Sequence, residues 1–199
     1  MENNLCLNGI KGDGICKSFG EKKVLCNLSF FFEYGSTSVI RGSSGSGKTT
    51  LLRILAGLIK PDSGTLSGIE GKKLSLLFQE DRLLPWFNAL QNVESVIKNK
   101  EKKPLAAELL TALGLGDKKD MLSYPSELSG GMARRVAIAR ALAYDSDILI
   151  LDEALRGLDE ANVENTVAVI KKYSLGKTLI SVTHNPSSLE ANCDNTLIL

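Results

Sequence analysis

The chain has 199 residues, enough for one domain with a sizeable subdomain and too few for two ordinary independent ones. Its 24 Lys plus Arg nearly cancel its 23 Asp plus Glu, so bulk charge argues for neither nucleic acid nor an anionic membrane surface as partner, and any anion must be bound locally. Cys6, Cys16, Cys26 and Cys193 form no C-x-x-C pair and have no histidines at metal-ligand spacing, which reads as free thiols in a reducing cytoplasm.

The N-terminus lacks the basic flank and apolar stretch of a secretory signal, and no apolar run reaches bilayer length, so the chain is expected to stay inside the cell and to meet a membrane only at its surface. From Val24 to Phe32 apolar residues occupy every second position, the period of a half-buried strand, and a turn follows at Glu33-Tyr34-Gly35. Residues 38–40 read as a short strand feeding a glycine-rich loop. Leu51, Leu52, Ile54, Leu55 and Leu58 mark the buried face of the helix after it, and Lys60-Pro61-Asp62-Ser63-Gly64 stops that helix with a turn. A strand over 74–78 ends at Gln79.

Between Pro85 and about Tyr144 the spacing becomes helical, with Leu105, Leu109, Leu110 and Leu113 on one face and Gly114 as a C-cap. The charged run over 98–103 is interrupted by glutamate and lacks aromatic neighbours, which reads as a solvated face and not as a nucleic-acid site. The last third alternates: a strand over 148–151, a helix over about 159–173, a strand over 178–182 and a strand-like 196–199. Continuous apolar strands bounded by helices predict an α/β fold with a mostly parallel sheet covered on both faces.

Gly42-Ser43-Ser44-Gly45-Ser46-Gly47-Lys48-Thr49 matches G-x-x-x-x-G-K-[ST] between a predicted strand and a predicted helix. Glycines there let backbone N–H groups turn onto phosphates, and the helix start adds partial positive charge. Lys48 is placed to reach the β- and γ-phosphates, Thr49 to hold Mg²⁺, and Thr50 follows in the same helix turn. Asp152 and Glu153 end an apolar strand. Buried acids at that position need a positive partner, and Mg²⁺ would supply one. Asp152 would then support the metal and its waters, while Glu153, pointing the other way, polarises the attacking water. For the acidic pair taken alone, a solvated turn is the competing reading.

Leu128-Ser129-Gly130-Gly131, after Tyr124-Pro125 and before a helix with Arg134, Arg135, Val136, Ala137, Ile138 and Ala139, resembles the signature segment of the ATP-binding cassette (ABC) ATPases, and its spacing to Asp152-Glu153 matches. The resemblance covers almost the whole chain. It implies a P-loop NTPase of ABC type with an antiparallel β subdomain and an inserted helical subdomain, the nucleotide-binding core over about 1–84 and 145–199 and the helical part over about 85–144. It also implies that Ser129, Gly130 and Gly131 contact the γ-phosphate of ATP held by the opposite subunit, with Asp159 in the loop that crosses the dimer interface. Gln79 resembles the glutamine that senses Mg²⁺ and the attacking water, and His184 the switch histidine on the γ-phosphate. Phe19 resembles the aromatic that stacks on adenine, with a plain core role equally open.

Phe78-Gln79-Glu80-Asp81-Arg82-Leu83-Leu84-Pro85-Trp86 is similar to the ATPase subunits of bacterial importers for nitrate, sulfonates and taurine. Trp86 and Phe87 are open to a plain core role, but in that family the segment after the glutamine forms a groove for a short helix of a membrane subunit, where an exposed aromatic would suit an apolar anchor. These resemblances imply ATP and Mg²⁺ as ligands, a homodimer or paired ATPase subunit formed on ATP binding, integral membrane permease subunits as partners, and a peripheral position on the inner face of the cell membrane. An exporter-type subunit and a soluble, non-transport ABC ATPase stay open as alternatives. Met132 stands where the family usually has glutamine, Ala154-Leu155 where it commonly has proline and an aromatic, and the chain ends at Leu199 with no C-terminal regulatory domain expected.

Overall fold

The computed structural model describes residues 8–183 and 193–199. Strands β1 (Gly9–Phe19) and β2 (Lys22–Glu33) form a hairpin, and β3 (Thr37–Arg41) runs into the glycine-rich loop and helix α1 (Lys48–Leu55). Strand β4 (Ser63–Ser67) pairs with the other side of β1, giving an antiparallel sheet of order β2-β1-β4. Its inner face is Ile10, Ile15, Leu25, Phe30 and Phe32, all buried. The aromatic side chains of β2 lie over glycines of β1. A Cβ at Gly12 would stand 2.3 Å from the Phe30 ring, and one at Gly9 would stand 2.3 Å from the Phe32 carbonyl oxygen.

Strand β5 (Leu74–Leu77) is followed by four helices, α2 (Ala89–Glu94), α3 (Pro104–Ala112), α4 (Lys118–Leu122) and α5 (Gly130–Ala143). Then come β6 (Ile148–Asp152), α6 (Glu160–Tyr173), β7 (Thr178–Val182) and β8 (Asn195–Ile198). The second sheet has order β5-β6-β7-β3-β8, and its neighbours are parallel throughout. Every residue of β6 and β7 is buried. Period-two alternation divides β6 between two cores: Ile148 and Ile150 pack with α1 and the antiparallel sheet, Leu149 and Leu151 with the helices. Each such side chain contributes roughly 1.5–3 kcal/mol, and the four together outweigh the roughly 1–3 kcal/mol cost of burying one polar group at the strand's end. That packing fixes the strand whose last residue is Asp152.

The predicted strands and helices are present, with local differences. Leu58 is 55% exposed instead of buried, because α1 ends at Leu55 and Gly57 (φ +68) turns the chain outward. Ser63 and Gly64, read as part of a turn, open β4, where Gly64 (φ +89) passes within 2.4 Å of the Gly14 carbonyl in Cβ terms. Helix α6 starts at Glu160, since Asp159 is its N-cap. Leu109, Leu110 and Leu113 are buried as the helical spacing requires, and Gly114 (φ +73) closes α3. The charged run over 98–103 is exposed. Among the described residues no helix is long and apolar enough to cross a membrane.

Candidate active site

The sharp turn at Ser43–Ser46, closed by Ser46 N donating to the Ser43 carbonyl (3.2 Å), delivers the chain to α1. Gly47 caps that helix at φ +102, and a side chain there would strike Leu25 and Val24 of β2. Gly42 is equally constrained, its Cβ position lying 2.7 Å from the Leu199 carbonyl. Lys48 is buried, and its Nζ donates to the carbonyls of Gly42 (2.8 Å) and Ser43 (2.7 Å), so the ammonium is folded over the loop it serves. A cavity of about 380 Å³ opens here, lined by Ser44, Gly45, Gly47, Lys48, Thr49, Thr50, Gln79 and Glu153, with Phe19 on its rim. Phe19 is half exposed, which disposes of a plain core role; Lys17 Nζ lies 5.6 Å from its ring centroid.

The acids arrive at the end of β6. Thr49 Oγ1 donates to Asp152 Oδ2 at 3.3 Å, joining α1 to that strand. Burial pushes the Asp152 carboxyl above the usual carboxylate range, with the neighbouring Glu153 adding to the rise and the Thr49 hydrogen bond opposing it. Glu153 has a left-handed backbone (φ +49), uncommon for a non-glycine residue and a form of stored strain. Its N–H donates to Val182 O, and its carboxylate accepts from Gln79 Nε2 (3.5 Å) and lies 3.6 Å from the Arg156 guanidinium. The structure therefore brings together Lys48, Thr49, Gln79, Asp152 and Glu153. His184 lies outside the described residues.

The signature residues stand elsewhere. Ser129 is the N-cap of α5, its Oγ accepting from Met132 N at 3.2 Å, and it is exposed together with Gly130. None of residues 128–132 lines the cavity beside Lys48. Unlike Gly42 and Gly47, Gly130 needs no relief from crowding: a Cβ there meets nothing within 4 Å, and one at Gly131 makes only ordinary contact, 3.6 Å from the Gly157 carbonyl. Asp159 is exposed and caps α6 by accepting from Asn162 N at 2.9 Å, and that bond holds its carboxyl below the usual range. Met132 is half-buried against the core of the helical region.

Two site-building residues have no signal in the sequence spacing. Arg134, in the first turns of α5, reaches the ends of both β5 and β6 through its guanidinium. Asn92 is fully buried and holds the loop over 84–88: Oδ1 accepts from Leu84 N, and Nδ2 donates to the carbonyls of Leu84, Phe87 and Asn88. On that loop Trp86 is 66% exposed. Polar residues whose partners are distant carbonyls leave no periodic trace, and α5 is buried on so many sides that its own periodicity is blurred.

A glycine-rich loop between a parallel strand and a helix, facing acids at the end of a neighbouring strand, defines the class: a P-loop nucleoside triphosphatase. The family model described as "ABC transporter" matches residues 25–156. The chain is 37% identical over 188 residues to the aliphatic sulfonates import ATP-binding protein SsuB 1 of Shouchella clausii, covering 94% of this chain and 75% of that protein. It is 40% identical over 189 residues to an uncharacterized ABC transporter ATP-binding protein of Thermotoga maritima, covering 83% and 80%. Among solved structures it matches the dimeric post-hydrolysis state of the ATP-binding cassette MJ0796 bound to ADP and Pi, with a TM-score of 0.84 at 30% identity, over 96% of this chain and 94% of that one. The chain belongs to the ABC transporter family, and it is an ATP hydrolase.

Proposed function

We propose that this chain is the ATPase subunit of an ABC importer, in which two copies close on two ATP molecules and drive separate membrane subunits from the inner face of the membrane. The observation that carries the composite site is the contrast between its glycines. Gly42 and Gly47 of the phosphate-binding loop are crowded by their own chain and Gly45 is set there by its left-handed backbone (φ +80), whereas Gly130 has neither constraint and faces open space, at a helix start that lies off the Lys48 cavity. An exposed helix N-terminus with a serine cap and glycines at its first two positions is suited to an anion that its own chain does not bring. The dimeric ADP- and Pi-bound relative and the relatives named as sulfonate import proteins support pairing and the direction of transport.

In this reading the chain has a nucleotide-binding core over about 1–84 and 145–199 and a helical part over about 85–144. Lys48 exchanges its bonds to Gly42 and Ser43 for phosphate oxygens, the loop amides and Thr50 hold the phosphates, and Phe19 stacks on the adenine. The Thr49 hydroxyl and the buried Asp152 carboxyl, 3.3 Å apart, form an oxygen donor pair suited to a hard cation, and burial of that acid beside Thr49 is what a divalent ion would compensate. Bound Mg²⁺ would supply charge neutralisation at the phosphates. Glu153 accepts a hydrogen bond from the attacking water, and Gln79 beside it orients both. Ser129, Gly130 and Gly131 of the second copy donate to the terminal phosphate, with Asp159 at the crossing loop, and the switch role of His184 belongs to the same reading.

The membrane subunit meets the loop of Trp86. Ala89 N donates to Ser123 O, which sets that loop beside exposed Leu122 and Tyr124. The test of the reading is Glu153→Gln. Turnover should fall by at least about 10²-fold, with the ATP-bound dimer accumulating. Hydrolysis near the wild-type rate would remove Glu153 from its role.

A further inference from the structure

Arg134 is only 3% exposed, a burial that a guanidinium tolerates when its N–H groups are matched. Nε donates to the Ala154 carbonyl (3.0 Å). Nη2 donates to the carbonyls of Asp152 (2.8 Å) and Glu153 (2.9 Å), and Nη1 to those of Phe78 (2.8 Å) and Gln79 (3.3 Å) and to Asp81 Oδ1 (3.0 Å). One side chain thus collects three consecutive carbonyls starting at the last residue of β6 and two just after β5. Asp81, 29% exposed, supplies the compensating charge.

The location matters because the sheet stops there. The β5–β6 ladder ends with the pair Leu77 and Leu151, so beyond it no strand pairing fixes Gln79 relative to Glu153. Arg134 takes over where the ladder ends. It also clamps the carbonyl of Glu153, whose left-handed backbone persists only if its surroundings determine it. Because the side chain comes from α5, the helix begun by Ser129 and Gly130, the spacing of Gln79 and Glu153 is referred to that helix and not to the sheet alone.

We propose that Arg134 is a positioning residue: it sets the placement of Glu153 and Gln79 on the attacking water and ties that placement to the signature helix. The inference rests on Glu153 acting on the water, as proposed above. Lysine keeps the charge but offers three donors from a point instead of five in a plane, so it cannot span both strand ends.

Arg134→Lys is therefore expected to lower kcat by about 30–100-fold, the cost of a small misplacement of the reacting groups, with KM for ATP within about threefold. The decisive readout is a double-mutant cycle with Glu153→Gln, rates being normalised to bound ATP. If Arg134 acts chiefly through Glu153, adding Arg134→Lys to Glu153→Gln lowers the residual rate far less than Arg134→Lys lowers the wild-type rate, the remainder being the share carried by Gln79; a purely structural residue would lower both backgrounds by the same factor. Arg134→Gln, which removes the buried positive charge and leaves only the partly exposed Asp81 without its partner, gives the same comparison should the lysine variant fold poorly. Wild-type kcat in Arg134→Lys, or equal losses in both backgrounds, overturns the inference while leaving Glu153 in its role if Glu153→Gln alone is impaired. A wild-type rate in Glu153→Gln alone defeats the underlying reading instead.

Discussion

The phosphate-binding loop and the signature segment are both glycine-containing starts of helices, α1 and α5, and they differ in what their glycines answer to. At Gly47 a side chain would collide with β2, and the ammonium of Lys48 is folded onto carbonyls of the same loop. At Gly130 a side chain would meet nothing, and the cap made by Ser129 is exposed. The first helix start faces Asp152, Glu153 and Gln79 of its own chain, while the second lies outside that cavity. Crowding at Gly42 and Gly47 shapes the first start, and open space at Gly130 leaves the second free to meet a partner in the proposed dimer.

The comparison breaks most sharply at Asp152, which belongs to the internal half alone. Asp152→Asn should reduce Mg²⁺-dependent hydrolysis by about 10²–10³-fold while leaving α5 untouched. The same change should stabilise the ligand-free chain. The folded carboxyl holds its proton to higher pH than the unfolded one, so the folded state binds more protons above pH 3.8, and stability falls as pH rises through the raised value. Removing that acid should raise Tm at neutral pH by about 3 °C, for about 1 kcal/mol in a domain of this size, and thermal melts from pH 4 to 8 would show the slope reduced.

Trp86 tests a third surface, separate from both helix starts. Trp86→Ala should weaken association with the membrane subunit by about 30-fold, the scale of an aromatic interface anchor, with ATP hydrolysis by the isolated chain unaltered; titration binding with the copurified membrane chain checks it. The smallest effect is expected at Met132. Its side chain packs against the helical core, so Met132→Gln should change ATP affinity by less than about threefold, measured by fluorescent-nucleotide displacement. A larger gain would mean that position 132 reaches the nucleotide of the opposite chain.

How much of this was legible in the sequence follows from the same contrast. Gly42 to Thr49 and Asp152-Glu153 are short contiguous runs at the ends of the apolar strands β3 and β6, so the place of loop and acids in the fold is legible from the sequence. Strand β1 is not, because Gly9 and Gly12 are there to accommodate the rings of β2, and a glycine-rich polar strand carries no alternation of its own. In the sequence Arg134 is only one residue of the signature helix, since its acceptors are 18 to 56 residues away. For Phe19 the sequence leaves core and site equally open, and its exposure on the cavity rim speaks against the core role.

The central claim is that a second copy completes the site at Lys48. Gly130 allows a clean test, because a side chain there has room and an acid in the first turn of α5 favours the helix, so Gly130→Asp should fold as well as the parent. Sedimentation of the Glu153→Gln chain with saturating ATP should show a dimer, and adding Gly130→Asp should leave a monomer that still binds one ATP per chain. A Glu153→Gln chain that stays monomeric with ATP bound, or a double variant that dimerises equally well, would contradict it.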